Sequence, residues 1–306
     1  MKTSIIFEST LKNLDTTENV CKTLKKSGFD GLDYSICENW AEIPSIFNNP
    51  RQTWVDFFKE QRRIIEGEGL NVFQTHATLP SDFDYDNPHQ FSKKVLDQLK
   101  REIEATAILG SKYIVIHPIN SIVCPYGKPI DQDAKQRDYE INMKEFSKLK
   151  PTLLEFGVKN GVEDMFTFDK DCGCYVQTGC STPQDMIKYV DGLNDRNAFC
   201  ACLDTGHVYM HNIQPAQAVR ELGDRIELLH IHDNRGGIDS HLIPGLGYTD
   251  WQDFAKALKE IDYKGALSLE LSFYSALKQF GKDYLYKYLD LAGYSVKRLA
   301  EMVEKA

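Results

Sequence analysis

The sequence predicts an α/β fold, a (β/α)8 TIM barrel that spans residues 1–306 as a single domain. Three observations lead to it. Short apolar runs alternate with longer amphipathic runs, eight such pairs follow one another, and several short runs are apolar without interruption. Strands buried on both faces of a parallel sheet have this last character. A barrel of this kind uses about 250 residues, which leaves room for a few long loops.

The elements follow in order along the chain. The predicted strands are 3–7, 30–35, 71–76, 112–117, 158–163, 199–204, 226–232 and 266–271. The predicted helices are 16–27, 52–68, 89–109, 136–156, 182–193, 214–222, 250–260 and 283–304. Gly28, Gly110 and Gly157 stand where helices should end, and Thr182 with Pro183 is typical of a helix start.

Two connections are longer than a barrel needs, 118–135 and 165–181. Both follow predicted strands, so both belong to the carboxyl face, where barrel enzymes keep their active sites. A doubly wound sheet is the competing fold. It usually carries a glycine-rich phosphate loop after the first strand, and the sequence has neither G-x-G-x-x-G nor a Walker A motif.

The composition argues against nucleic acids and anionic membranes as partners. The formal net charge is -9 and the pI about 5.4, which offers no broad attraction to nucleic acid or to an anionic membrane. No apolar run approaches the roughly 18 residues that span a bilayer, and the amino terminus has no signal-like apolar segment. We therefore expect a cytoplasmic protein with eight reduced cysteines. Cys172, Cys174 and Cys180 lack the paired C-x-x-C spacing of zinc sites and predict a thiol-bearing loop.

Acidic and histidine side chains stand at the ends of six predicted strands. In a parallel barrel the last inward side chains of the strands meet at the open mouth. Acids buried together there would repel one another without a cation. Imidazoles and carboxylates suit divalent Mn, Co, Zn, Fe or Mg, so the pattern predicts a metal centre. The residues in question are His76, His117, Glu163, Asp204, His232 and Glu270.

Several motifs carry a specific resemblance. Residues 203–207 read Leu-Asp-Thr-Gly-His and residues 229–234 read Leu-His-Ile-His-Asp-Asn. Val-Glu-Asp-Met at 162–165, His-Leu-Ile-Pro-Gly-Leu-Gly at 241–247, Tyr-Thr-Asp-Trp at 248–251 and Leu-Ser-Leu-Glu at 267–270 occur in the same order. The chain resembles the xylose isomerase-like TIM barrel superfamily, which holds sugar isomerases and epimerases, hydroxypyruvate isomerase, inosose dehydratase and endonuclease IV.

The resemblance to the sugar epimerases implies a metal-dependent sugar isomerase or epimerase that acts on a small polyhydroxy carbonyl compound. Glu163 and Glu270 would exchange a proton with one substrate carbon from opposite faces, through an enediolate-like intermediate. One divalent metal would be held by Glu163, Asp204, His232 and Glu270, with His230 as the alternative to His232. Strand geometry favours His232, which lies nearer the mouth. The implied substrate-binding residues are His76, His117, His207, Arg235 and His241.

Endonuclease IV gives a second alignment, with up to three metals and abasic DNA as substrate. It would use His230 as a ligand and add a possible second metal at Asp239 and His241. No glycine-rich segment follows Glu163, and no run of Lys or Arg with interleaved aromatics indicates a DNA groove. An inosose-type dehydratase shares the epimerase's first step, and a non-catalytic sugar- or protein-binding barrel would need an incomplete metal site. Tyrosines in the last helix would suit a homodimer.

Overall fold

A computed structural model describes residues 1–36, 45–79, 83–84, 87–120, 128 and 130–306 of the chain. The strands in these ranges are β1 (Thr3–Phe7), β2 (Gly31–Ser35), β3 (Asn71–His76), β4 (Phe83–Asp84), β5 (Asn87–Phe91), β6 (Tyr113–Val115), β7 (Lys159–Glu163), β8 (Phe166–Asp169), β9 (Cys174–Gln177), β10 (Phe199–Asp204), β11 (Ile226–His230) and β12 (Leu267–Leu269). The α-helices are α1 (Ser9–Lys12), α2 (Thr17–Ser27), α3 (Arg51–Gly67), α4 (Lys93–Ile108), α5 (Gln132–Phe156), α6 (Pro183–Leu193), α7 (Thr205–Met210), α8 (Pro215–Leu222), α9 (Trp251–Glu260) and α10 (Tyr274–Lys305). Short 3-10 turns occupy Ser45–Asn48 and Gly223–Arg225.

Eight parallel strands form the barrel, in the order β11-β10-β7-β6-β3-β2-β1-β12. A parallel bridge between Ile231 and Leu269 joins the two ends of this sheet. Ile231 N donates to Ser268 O at 2.8 Å, and Glu270 N donates to Ile231 O at 3.1 Å. The predicted TIM barrel is confirmed, and its last seam closes at the carboxyl ends of the strands.

The core lies inside the barrel and between its strands and helices. All five residues of β1 and all six of β10 are buried, as expected for strands covered on both faces. Leu24 of α2, Phe58 of α3 and Phe254 of α9 are at most 1% exposed and pack against the sheet. Each such side chain contributes about 1.5–3 kcal/mol of hydrophobic free energy.

Helix ends follow the predicted signals at several points. Gly28 and Gly157 end α2 and α5 in the left-handed conformation, with φ of 101° and 65°. Thr182 and Asp185 form a capping box at the start of α6, whose first residue is a proline. No helix within the described ranges has both the length and the apolarity that a membrane span needs.

The structure corrects some predicted boundaries. The helix predicted at 89–109 is wrong at its start, because residues 87–91 form β5 and Ser92 caps α4 by accepting from Val95 N at 3.2 Å. The loop predicted at 118–135 ends earlier, because Asp131 caps α5 at Gln132, and its residues 121–127 and 129 lie outside the described ranges. The loop predicted at 165–181 contains the β8–β9 hairpin. The final helix begins at Tyr274, before the predicted 283, and bends at Gly281.

Candidate metal centre and active-site cavity

Side chains at the ends of five barrel strands converge at the mouth. His76, Glu163, Asp204 and His230 are the last residues of β3, β7, β10 and β11, and Glu270 directly follows β12. All five are buried, with Glu270 the most exposed at 8%. Buried ionisable groups are rare unless they are paired or bind a metal, so this concentration needs a chemical explanation.

A central group of four residues has the form of a metal site. Glu163, Asp204, His230 and Glu270 each offer one ligand atom, and these atoms lie within 4.8 Å of one another. His230 Nδ1 lies 2.7 Å from Glu163 Oε1 and 2.9 Å from Glu270 Oε2. Of the two candidate histidines, the structure therefore brings His230 into the group with all three carboxylates.

His232 lies in a second, outer group. Its Nε2 is 3.0 Å from Asp204 Oδ1, and its ring stacks on His241 with centroids 4.2 Å apart. Asp239 Oδ2 is 2.8 Å from His241 Nε2. His232, Asp239 and His241 form one set of possible ligands, and Asp204, His207 and His232 form another.

A third set lies on the opposite side of Glu163. His117 Nε2 is 2.8 Å from Glu163 Oε2, and His76 Nε2 is 3.8 Å from the same oxygen. The two Nε2 atoms are 3.0 Å apart. His76, Glu163 and His230 also form a possible ligand set. The predicted site residues His76, His117, Asp239 and His241 therefore all adjoin the central group.

The Asp-Thr-Gly-His motif has a local structural explanation. Asp204 caps α7, since its Oδ1 accepts from Gly206 N at 2.7 Å and from His207 N at 2.8 Å. Its Oδ2 has no hydrogen-bond donor among the described residues and stays available to an ion. His207 Nδ1 lies 2.7 Å from the carbonyl oxygen of Asp164, which fixes the ring at the edge of the cavity. One helical turn thus positions two site residues.

Gly206 is required by the close approach of His232. A Cβ atom on residue 206 would lie 1.8 Å from His232 Cε1 and 2.4 Å from its Nε2. We expect Gly206→Ala to displace His232 and to lower the free energy of unfolding by about 1–3 kcal/mol. Urea unfolding measures this loss. Gly67→Ala is the matched control, because a Cβ there meets no atom within 4 Å. Equal stability of the two variants would contradict the steric argument.

Two residues that the sequence analysis did not identify support His230. Asp33 of β2 lies across the barrel, with its Oδ2 3.0 Å from His230 Nε2. Gln74 Nε2 donates to the same carboxylate oxygen at 2.8 Å. Metal-binding histidines commonly donate their second N–H to a carboxylate, which fixes the tautomer. The sequence signal for both residues was a polar side chain in the middle of a predicted barrel strand.

The acids and histidines of the site shift one another's pKa values. Burial opposes ionisation of Glu163, but the neighbouring His230 and His117 hold its pKa well below the ordinary value. Burial likewise opposes protonation of His230, yet the acidic groups around it, including Glu270 and Glu163, raise its pKa well above the ordinary value. For His207, Asp204 and Asp239 outweigh the effect of burial and raise the pKa to about 10. Protonated imidazoles thus stand where a cation would neutralise the acids.

The buried oxygens fit a metal ion. Within the described part of the chain, Glu163 Oε2, Asp204 Oδ2, Glu270 Oε2 and Asp239 Oδ1 receive no aligned hydrogen bond. A buried oxygen without a donor costs about 1–3 kcal/mol, more when it is charged. Coordination to a divalent cation satisfies such oxygens, and the mixed carboxylate and imidazole set suits Mn, Fe, Co or Zn.

A cavity of about 450 Å³ opens above the central group. Glu163, His207, Asp239 and Glu270 line it beside His117 and His241. Its apolar wall includes Phe166 of the β8–β9 hairpin, whose ring centroid lies 4.8 Å from that of His207. Arg235, predicted to bind substrate, is exposed instead and donates Nε–H to Leu246 O at 2.8 Å.

A family profile and several known proteins are similar to this chain in sequence. A sequence profile of the xylose isomerase-like TIM barrel family matches residues 21–287. The chain is 25% identical over 240 residues to an uncharacterized protein of Methanocaldococcus jannaschii, covering 76% of each protein. It is 28% identical over 145 residues to D-psicose 3-epimerase of Enterocloster bolteae, covering 46% of this chain and 44% of that protein.

Solved structures share the whole fold. D-Psicose 3-epimerase with D-tagatose from Clostridium cellulolyticum H10 superposes with a TM-score of 0.70 at 17% identity, covering 99% of each chain. A D-tagatose 3-epimerase-like protein superposes with a TM-score of 0.70 at 23% identity, covering 100% of this chain and 99% of that one. The superpositions show the shared fold, and the profile match over residues 21–287 shows that the chain belongs to the xylose isomerase-like TIM barrel family.

Proposed function

We propose that this protein is a metal-dependent sugar epimerase or isomerase that moves a proton on a carbon next to a carbonyl group. One observation carries the proposal: Glu163 and Glu270 line the same cavity and both approach His230 Nδ1, at 2.7 and 2.9 Å. Two carboxylates fixed around one point suit a reaction in which one removes a proton and the other returns it. Relatives named as D-psicose and L-ribulose 3-epimerases support this reaction class.

The proposed metal ligands are Glu163, Asp204, His230 and Glu270. A divalent ion bound there would act as a Lewis acid and stabilise negative charge on the substrate carbonyl and a neighbouring hydroxyl. His232 then belongs to the outer group with Asp239 and His241. The proposed metal requirement rests on the buried carboxylate oxygens of the central group that receive no aligned hydrogen bond from the described residues.

The protein's own groups have distinct proposed roles. Glu163 is the proposed base, because its carboxylate lines the cavity and lies against both His230 and His117. Glu270 would protonate the opposite face of the enediolate-like intermediate. His207 keeps a proton, since its pKa is about 10, and can donate it to a substrate oxygen from the cavity wall. Leu271, Phe273 and Phe166 shield the reacting carbon from water.

Solvent-deuterium exchange tests the proposal. Protein loaded with Mn²⁺ is incubated in deuterated water with D-psicose, D-tagatose, D-fructose, L-ribulose and inososes, and carbon-bound deuterium is measured by NMR. Exchange with epimer formation is the expected result. Exchange followed by loss of water would indicate a dehydratase, and absence of exchange across the panel would overturn the proposal.

A metal-dependent abasic-site nuclease is the second candidate. It is favoured by one observation, the two further ligand sets beside the central group. Native mass spectrometry after metal loading separates the candidates, because an epimerase site needs one ion per chain and a trinuclear nuclease needs three. Incision of abasic DNA by protein that carries three ions would favour the nuclease.

Metal binding is expected to strengthen as pH rises. His230 is protonated in the metal-free protein, because its pKa is raised, and this proton must leave before Nδ1 can bind an ion. Below its pKa the proton competes with the metal, so affinity falls as pH falls. Calorimetric titration in buffers of different ionisation enthalpy counts the released protons. Release that continues up to pH about 9 would report an ion at the outer group, since the pKa of His241 is about 9.

We further propose that residues 1–306 form one barrel domain and that two copies associate through α10 in the cytoplasm. Phe280 and Tyr294 of this helix are 62% and 65% exposed. Large apolar side chains exposed together on one surface indicate a contact with another protein. Light scattering of the purified protein measures the association. A monomer at micromolar concentration would contradict it.

A further inference from the structure

The described lining of the active-site cavity lacks the basic side chains, lysine and arginine, that most often bind phosphate. Four carboxylates line it, from Glu8, Glu163, Asp239 and Glu270, and none of the described lining residues is a lysine or an arginine. The segments outside the described ranges, 37–44, 80–82, 85–86, 121–127 and 129, contain neither residue type in their sequence. Proteins hold phosphate with Arg, Lys or a free helix amino terminus.

Two helix amino termini at the mouth are occupied by acids, whereas that of α10, which begins at Tyr274 in the cavity wall, has no side-chain cap. Asp204 caps α7, and Glu8 caps α1. Of the basic residues nearby in sequence, Lys12 donates to Ser35 O, and its ammonium group lies 4.3 Å above the Tyr34 ring. Beside Glu8, a phosphate dianion would meet a carboxylate in a partly dehydrated space, where like charges repel strongly.

Glu8 has a carboxylate oxygen free for a ligand. It directly follows β1 and is held in place by its Oε2, which accepts from Thr10 N at 2.8 Å and from Ser9 Oγ at 2.9 Å. Its Oε1 is shielded from solvent and receives no hydrogen bond from the described residues. A buried acceptor left unpaired is costly, and a donor from a ligand in the adjoining cavity removes that cost.

We propose that Glu8 is a specificity-determining residue, which accepts a hydrogen bond from a hydroxyl group of an uncharged sugar and excludes phosphorylated sugars. The inference rests on the proposed epimerase function, because it assigns the substrate class of that same cavity. Glu8 directly follows β1, which pairs with the strand that precedes Glu270, and it is not one of the proposed metal ligands.

The experiment compares each ketose with its phosphate ester. Mn²⁺-loaded protein is assayed by deuterium exchange with whichever of D-psicose, D-tagatose, D-fructose or L-ribulose reacts fastest, and with the terminal phosphate ester of that sugar. We expect kcat/KM of the wild type to be about 100-fold or more higher for the free sugar than for its phosphate ester. A polar site discriminates this strongly when the wrong substrate leaves a buried group of the site unpaired or repels it.

Glu8→Gln removes the charge but keeps an oxygen that can cap α1. It should raise KM for the free sugar about 10-fold with kcat nearly unchanged, and should reduce the preference over the phosphate ester about 10-fold. Glu18→Gln is the matched control. Glu18 is exposed on α2 and pairs with Lys22, so its loss should alter neither value. Thermal unfolding of both variants checks that the barrel remains folded.

The outcomes separate the two proposals. Absence of exchange with every free ketose overturns the epimerase function itself. Equal turnover of free and phosphorylated sugar, or unchanged kinetics in Glu8→Gln, leaves the epimerase function intact and overturns the role of Glu8. A selective rise in KM with a weakened preference supports it.

Discussion

Glu163→Gln is expected to lower the rate of carbon–deuterium exchange by about 10²- to 10⁴-fold, the range of a lost general base. Glutamine preserves the size of the side chain but cannot accept the substrate proton. The loss should appear in kcat, measured by NMR with Mn²⁺-loaded protein. Because Glu163 is also a proposed ligand, the metal content of the variant is measured in parallel and brought to saturation.

Glu270→Gln distinguishes a two-base reaction from a one-base reaction. With two bases, Glu163 should still exchange the proton of one epimer, while conversion to the other epimer is lost. Glu227→Gln is the matched control, since Glu227 lies on β11 at the opposite end of the barrel and pairs with Lys159 at 2.7 Å. Full epimerisation by Glu163→Gln at saturating metal would contradict the assignment of the base.

Asp33→Asn is expected to weaken metal binding about 10- to 100-fold without contact between residue 33 and the ion. The carboxylate of Asp33 accepts from His230 Nε2 at 3.0 Å and thereby directs Nδ1 toward Glu163 and Glu270. A neutral asparagine makes the imidazole less basic and removes this fixed orientation. Competition with a fluorescent chelator measures the affinity.

Nitrogen-15 NMR of the histidine rings provides a readout that simple loss of stability would not change. In the metal-loaded wild type, His230 should carry its proton on Nε2, and in Asp33→Asn this tautomer should lose its dominance. Asp30→Asn is the control, because Asp30 directly precedes β2 and accepts from Thr3 N at 3.1 Å, near the start of β1. Unchanged affinity in Asp33→Asn would show that His230 is oriented by packing alone.

The barrel could be predicted because its signal is local. Uninterrupted apolar runs such as Ile114 to Ile116 mark the strands, and acids at their ends can be located by counting. The prediction that favoured His232 over His230 rested on its place nearer the mouth, but residues two apart on a strand share a face, so the sequence offered no firm ground for this choice. Only the three-dimensional arrangement separates them, by placing Asp33 from a distant part of the chain behind His230.

The boundary errors have a different origin. Ser92 and Asp131 are ordinary capping residues, so the sequence contained a signal for both helix starts. The predicted boundaries followed the apolar periodicity of the two helices instead of these caps. The hairpins β4–β5 and β8–β9 are insertions in connecting loops, where no barrel periodicity constrains the chain. Phe166 thus reaches the cavity wall through an element that the barrel pattern does not contain.

The seam between β11 and β12 links folding to the site. Its bridge pairs Ile231, which separates His230 from His232, with Leu269, the neighbour of Glu270. Opening this seam would part Glu270 from His230, so an ion held by both would tie the first and last strands of the sheet order together. Chelation should then accelerate hydrogen exchange at the amides of Ile231 and Glu270 before it affects β10. The metal would stabilise the closed barrel as well as serve as a cofactor of the reaction.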